Sequence, residues 1–231
     1  MRQSLRGSLL IAVLAATLSA PGTHAEDAAA PEIFLDLDTG GHRAFIKDMA
    51  VSADGRFVFT ASDDKTVRMW DVQSGRTERV FRGWRAEGQA GKVFAVAVSP
   101  DGKTLAAAGW FGPDDVSGGP YGDIRLFETR TGRVLSVIHD LGLPVYDLAF
   151  TADGGKLMAG GQDGYVTLYA PGADGAWSAL ASLDTGSGHI EKIAMLAGGR
   201  VVATTDDVGV VLFDDAAMPM ELPDGDALAE A

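Results

Sequence analysis

After about residue 30, apolar and polar positions alternate with period two along most of the chain. That is the spacing of half-buried β-strands, not of amphipathic helices. One phrase recurs four times: an alternating apolar stretch, a small polar residue, Asp-Gly or Gly-Gly, and a second apolar run. It reads MAVSADGRFVFTAS from Met49, VAVSPDGKTLAAAG from Val96, LAFTADGGKLMAGG from Leu148 and IAMLAGGRVVATTD from Ile193. The turns at Asp54, Asp101, Asp153 and Gly198 stand 47, 52 and 45 residues apart. A third run closes each copy on an aromatic: TVRMW to Trp70, DIRLF to Phe127, YVTLY to Tyr169 and VGVVLF to Phe213. A fourth run fills each interval: EIFLDL from Glu32, RTERVF from Arg76, RVLSVI from Arg133 and SALASL from Ser178.

Alternation bounded by Asp-Gly turns is the hairpin signal. Four strands in each interval of about 45 residues match one blade of a β-propeller. A single blade cannot bury both of its faces, so several must pack side by side. The expected fold is therefore all-β: a propeller of about four repeats, each an outer strand followed by three inner ones. The repeats fall near 32–75, 76–132, 133–172 and 177–214.

The stretch GHRAFIKDMAVSADGRFVFTASDDKTVRMWD, from Gly41 to Asp71, resembles a near-complete WD40 repeat. Such repeats carry Gly-His at one end and Trp-Asp at the other. The resemblance implies a buried polar network of His42, Thr60, Asp64 and Trp70 with a structural role. The donors and acceptors suit one another, since a carboxylate, an imidazole, a hydroxyl and an indole can be joined in series. The other copies depart from the pattern. Phe127, Tyr169 and Phe213 replace the Trp, and Ala159 and Ala203 replace the Thr, although Asp163 and Asp207 keep the turn aspartate. Counting back from the fourth copy gives Gly186, not His189, at the His42 position. From Gly41 to about Ala170 the chain is also similar to the amino-terminal propellers of bacterial WD40/caspase-like peptidase proteins. The peptidase part is absent, and with no cysteine its dyad cannot exist in this chain.

The ends read differently. Arg2 and Arg6, the apolar run Leu9–Leu18 and the small-residue segment SAPGTHA ending at Ala25 have the three parts of a secretory signal. Residues 1–25 are thus expected to be a signal peptide, with the mature chain starting at Glu26 outside the cytoplasm, periplasmic or secreted. No other segment is apolar enough to span a bilayer. Residues 215–231 are expected to be an acidic disordered tail without a further strand.

Charge and composition narrow the function. A formal net charge of −13 argues against nucleic-acid binding, which needs a basic surface. With zero cysteines, disulfides, zinc–thiolate sites and cysteine nucleophiles are excluded. The aspartate pairs match no calcium loop, and no histidine sits in a catalytic motif. No catalytic residue, metal or cofactor is expected; the alternative reading is a propeller hydrolase, or a truncated amino-terminal part of a WD40/caspase-like peptidase protein. Two irregular loops stand out: GWRAEGQAGK from Gly83, and WFGPDDVSGGPYGD from Trp110, which carries ten extra residues relative to the first copy. In a WD40 blade both emerge on one face. Loops on a rigid scaffold commonly bind, and aromatic and Arg side chains anchor interfaces. Trp84, Arg85, Trp110, Phe111 and Tyr121 are accordingly the expected contacts for a protein or peptide partner of unknown identity. Three ways of managing the ring's ends are open: a closed four-bladed ring, a ring shared by a homodimer, or an open arc.

Overall fold

The computed structural model describes residues 40–82, 88–111, 122–139, 142–186, 188–196, 200–207, 209–213 and 219–220. Among these there is no helix. Four antiparallel four-stranded sheets follow one another in chain order. The first holds β1 (Ile46–Val51), β2 (Phe57–Ser62), β3 (Thr66–Asp71) and β4 (Arg76–Arg82); the second β5 (Val93–Val98), β6 (Thr104–Gly109), β7 (Ile124–Glu128) and β8 (Val134–Ile138). The third holds β9 (Val145–Phe150), β10 (Leu157–Gly161), β11 (Tyr165–Pro171) and β12 (Trp177–Asp184); the fourth β13 (Ile190–Met195), β14 (Val201–Thr205), β15 (Val210–Phe213) and β16 (Pro219–Met220). The strands of each sheet pair in order, and the innermost strands β1, β5, β9 and β13 lie side by side in succession. This is the β-propeller arrangement.

The turns form where the Asp-Gly pairs stand. Ser52 Oγ donates to Asp54 Oδ1 at 2.6 Å, and the same oxygen accepts from Arg56 N at 3.0 Å. Ser99 with Asp101 and Thr151 with Asp153 repeat the device. It is an Asx-type turn, in which the side chain replaces a backbone acceptor. Gly55 follows at φ +68°, a left-handed conformation that a Cβ would disfavour. The fourth turn, at Gly198, lies outside the described residues.

The sheets pack through three buried apolar seams. Phe59, Val67 and Phe81 of the first sheet meet Val96, Leu105 and Phe127 of the second. Ala106, Ile124 and Leu126 of the second meet Leu148, Leu157 and Tyr169 of the third. Met158 and Val166 of the third meet Ile190, Ile193 and Val201 of the fourth. Fully burying one Val, Leu, Ile or Phe is worth about 1.5–3 kcal/mol, so these seams dominate the cohesion of the array. Among the described residues no buried apolar cluster joins the fourth sheet to the first.

Each sheet runs from its innermost strand outwards, so the sequence repeat, which begins on an outer strand, is offset from it by one strand. The runs from Arg76, Arg133 and Ser178 are the outer strands β4, β8 and β12; Glu32–Leu37 lies outside the described residues, as do residues 1–25. The expectation of no strand after Phe213 needs correction. Pro219–Met220 pairs with β15, Leu212 opposite Met220 and Phe213 opposite Pro219. Two residues are too few to show alternation, and Pro, lacking an N–H, suits only a strand at a sheet edge. The rest of 215–231 lies outside the described residues.

Candidate functional site

The four residues of the first repeat's polar network do meet. His42 Nδ1 lies 2.8 Å from Asp64 Oδ2, and His42 Nε2 lies 2.7 Å from Thr60 Oγ1. The Trp70 indole donates to the same hydroxyl oxygen at 2.7 Å. One proton arrangement satisfies all of these: Nδ1–H donates to Asp64, and the Thr60 hydroxyl donates to Nε2 while accepting from Trp70. Asp64 also accepts from Thr66 Oγ1 at 2.6 Å and from Arg43 N at 3.0 Å. Burial works against the Asp64 carboxylate, but the hydrogen bonds from Thr66, His42 and Arg43 outweigh it and hold its pKa below the usual value. The side chains of His42 and Asp64 are only 4% and 7% exposed, which leaves no approach for a substrate. The network ties the segment before β1 to the β2–β3 turn.

The face of that turn, which carries the sheet-to-sheet connections and the β2–β3-type turns, also holds the two irregular loops. The stems of the two irregular loops are hydrogen-bonded together: Gly91 N donates to Trp110 O at 2.7 Å, and Trp110 N to Lys92 O at 2.9 Å. Asp63 draws in Lys92 at 3.6 Å and Lys47 at 3.7 Å, linking the first two sheets on this side. Of the expected partner contacts, Trp84, Arg85 and Tyr121 lie outside the described residues, and Trp110 is half-buried. Phe111 is a correction. It is 1% exposed within the seam between the first two sheets, with the Arg125 guanidinium 5.2 Å from its ring centroid. Phe111 stands two residues beyond the end of β6, and its ring packs among Phe59, Phe81 and Phe127 of the seam instead of facing solvent.

A row of rings on the same face escaped the sequence reading. Phe94 and Tyr146 are the second residues of β5 and β9, and their ring centroids are 5.9 Å apart. Tyr146 meets His189 edge-on at 6.3 Å. His189 in turn lies 2.8 Å from Asp206, at a different position from the His42–Asp64 pair. Burial, reinforced by Glu191, pushes the Tyr146 phenol up. Phe45, one residue before β1, is 79% exposed. The usable signal was an aromatic directly after the first residue of an innermost strand, in VFAVAV and VYDLAF. The rings of Phe94, Tyr146 and His189 are half-buried, and Lys92, Glu191 and Asp206 stand close to them in the chain or against them.

On the opposite face, a cleft of about 500 Å³ opens where the first two sheets meet, floored by Phe57, Phe59 and Met69. Arg79 spans it, donating to the carbonyls of Arg130 at 2.6 Å and Thr131 at 3.0 Å. Among the described residues no cluster of three His, Cys, Asp or Glu side chains is placed to hold a metal, and no helix is long and apolar enough to cross a membrane.

The family model for "WD domain, G-beta repeat" matches residues 36–71, 76–114 and 132–169. The chain is 25% identical over 175 residues to WD repeat-containing protein SL1-17 of Schistosoma mansoni, covering 75% of this chain and 52% of that protein. It is 34% identical over 116 residues to a WD repeat-containing protein of Synechocystis sp., covering 49% of this chain and 28% of the relative. It is 32% identical over 133 residues to a guanine nucleotide-binding protein subunit beta of Oryza sativa subsp. japonica, covering 54% and 31%. The chain thus spans about half, or less, of the length of these relatives. The matched repeats, the His42–Asp64–Thr60–Trp70 geometry and the four successive sheets together make this chain a WD40-repeat protein of β-propeller architecture.

Proposed function

We propose that this chain is an exported interaction scaffold, which binds a protein or peptide partner on its loop face and carries out no catalysis. The observation that carries the reading is the row Phe94–Tyr146–His189 beside the hydrogen-bonded stems of the two irregular loops. Rigid aromatic rings on a strand framework supply contact area at little cost in side-chain entropy. Among the described residues the enclosed histidine–carboxylate pair, His42–Asp64, is committed to the fold. Among the relatives, the rice protein is by name a subunit, a part that works in an assembly.

Export rests on the tripartite start of the sequence. Recovering the protein from outside the cytoplasm and weighing it intact tests this part: the mass should correspond to a chain beginning at Glu26. For the interaction, capture from the envelope of the exporting cell is compared between the native chain and a Phe94→Ala/Tyr146→Ala variant. Loss of the same captured polypeptide, with an unchanged melting temperature, supports the loop face. Equal capture by both refutes it.

A further inference from the structure

The innermost strands are in strict register, because each bears the same irregularity between its first and third residues: Ile46/Asp48, Val93/Ala95, Val145/Asp147 and Ile190/Lys192. Met49, Val96, Leu148 and Ile193 therefore hold one position. The last three are at most 7% exposed, each covered by the preceding sheet, whereas Met49 is 67% exposed. Ile46 is 54% exposed against at most 5% for Val93, Val145 and Ile190. On the far side of the array, Val210 is 44% exposed, while its counterparts Val67, Ile124 and Val166 are at most 2%. The first and fourth sheets thus keep the apolar residues of a packed seam on faces that do not pack.

Among the described residues a hydrogen-bonded ion pair nevertheless joins them. Lys192 Nζ donates to Asp48 Oδ1 at 2.8 Å and to Asp147 Oδ1 at 2.9 Å. Asp48, Ala95, Asp147 and Lys192 occupy the same third position of the four innermost strands, so the contacts form a belt at one level of the axis. The other carboxylate oxygens extend it: Asp48 Oδ2 accepts from Val96 N at 2.9 Å, and Asp147 Oδ2 from Ile193 N at 2.6 Å. First and second sheets, and third and fourth, are each tied by an aspartate in addition to their apolar seam. Fourth and first are tied by Lys192 alone among the described residues. The Lys192 side chain is 55% exposed, against 11% and 7% for the Asp48 and Asp147 carboxylates, and an ion pair open to solvent on one side contributes less than the several buried apolar side chains of a seam.

We propose that Lys192 is a latch, and that the propeller opens and closes at the junction of its fourth and first sheets while the other three seams move as one body. Removing the latch lets the two outer edges swing apart; the apolar seams resist the same motion elsewhere. The device does not depend on what the loop face binds.

The chain has no cysteine, so introduced cysteines can be spin-labelled selectively. One pair, Glu78→Cys with Asp207→Cys, spans the latch junction; a second, Glu78→Cys with Lys103→Cys, spans the filled seam between the first two sheets. All three positions are exposed. In pulsed dipolar measurements on the full chain, Lys192→Met should lengthen and broaden the first distance by several ångströms and leave the second unchanged. Lys192→Arg should restore the native distribution. Unchanged distances in Lys192→Met overturn the proposal, as does an equal change in both pairs, which means general loosening. Should Lys192→Met fail to fold, Asp48→Asn on the labelled chain decides: it weakens the tie across the junction, keeps an acceptor for Val96 N and leaves the Lys192–Asp147 pair in place, so only the latch distance should lengthen, and no change overturns the proposal.

Discussion

Asp64 and His42 meet at 2.8 Å, with both side chains almost wholly enclosed although they belong to segments 22 residues apart. Removing the carboxylate leaves an imidazole N–H, the Thr66 hydroxyl and the Arg43 amide without their acceptor. Asp64→Ala should therefore lower stability by about 1–3 kcal/mol, read from denaturant unfolding. The pH dependence has a definite sign. The folded-state pKa of Asp64 lies below its unfolded value, so its stabilisation is complete above about pH 4 and is lost as pH falls through the folded value. The stability gap between the native chain and Asp64→Asn should accordingly shrink in acid. A gap independent of pH between neutrality and the acid limb would refute the role given to the carboxylate.

Asp147 behaves in the opposite way. Burial raises its pKa, against the hydrogen bond from Ile193 N and the nearby Lys192 ammonium. The folded chain then holds the proton more readily than the unfolded one. The native state gains stability as pH falls through the folded value towards about pH 4, and carries the full cost of the buried charge above it. Asp147→Asn keeps an acceptor for Ile193 N and removes that cost. Its stability relative to the native chain should be most favourable at neutral pH and decline on acidification. Asp147→Ala, which orphans a buried N–H, should cost about 1–3 kcal/mol. Parallel urea titrations of both variants at two pH values check the pair of signs.

Much of the architecture was legible because strands advertise themselves twice, by alternation and by the Asp-Gly turns between them. Phe57–Ser62, Thr104–Gly109 and Leu157–Gly161 stand where the recurrent phrase puts them. The His42 network was legible because its four members keep the spacing of a known repeat. Phe111 was not: a loop aromatic looks the same in sequence whether it points to solvent or fills a seam. The axial belt left a faint trace. Asp48-Met49-Ala50, Asp147-Leu148-Ala149 and Lys192-Ile193-Ala194 share one frame, but a single charge beside an apolar run resembles any solvent-facing strand position. Only side-by-side innermost strands turn that frame into contacts. Pro219–Met220 was invisible for want of length.

Phe111 supplies a prediction that separates packing from recognition. The ring is enclosed by the first two sheets and capped by Arg125. Phe111→Ala should leave a cavity and cost about 3–5 kcal/mol. Trp110→Ala, one residue earlier and half-buried, should cost markedly less. Thermal melts of the two variants side by side test this; equal midpoints would place Phe111 outside the seam.

Two glycines make the register of the innermost strands possible. Gly161 pairs with Val145 and Gly109 with Val93, each where the ladder shifts by one residue. At that shift the neighbouring backbone crowds in. A Cβ on Gly161 would stand 2.2 Å from Pro144 O, and one on Gly109 would stand 2.3 Å from Lys92 O. Both obstacles are backbone carbonyls, so neither can rotate away as a side chain would. The Pro144 carbonyl is further fixed by a hydrogen bond from Gln162 N, and the Lys92 carbonyl by one from Trp110 N. Gly161→Ala and Gly109→Ala should each cost about 1–3 kcal/mol through forced backbone displacement. Gly41→Ala, with nothing within 4 Å of the added Cβ and no positive φ, should change stability by less than about 0.5 kcal/mol. Ser62 and Thr205 carry side chains at the same position of the first and fourth sheets, so the crowding belongs to the middle two sheets. Hydrogen exchange adds a spatial check: in Gly161→Ala the amides of β9 and β10 should lose protection before those of β1 and β2. Uniform loss across all four sheets, or none, would mean that the close approach at Gly161 does not set the register.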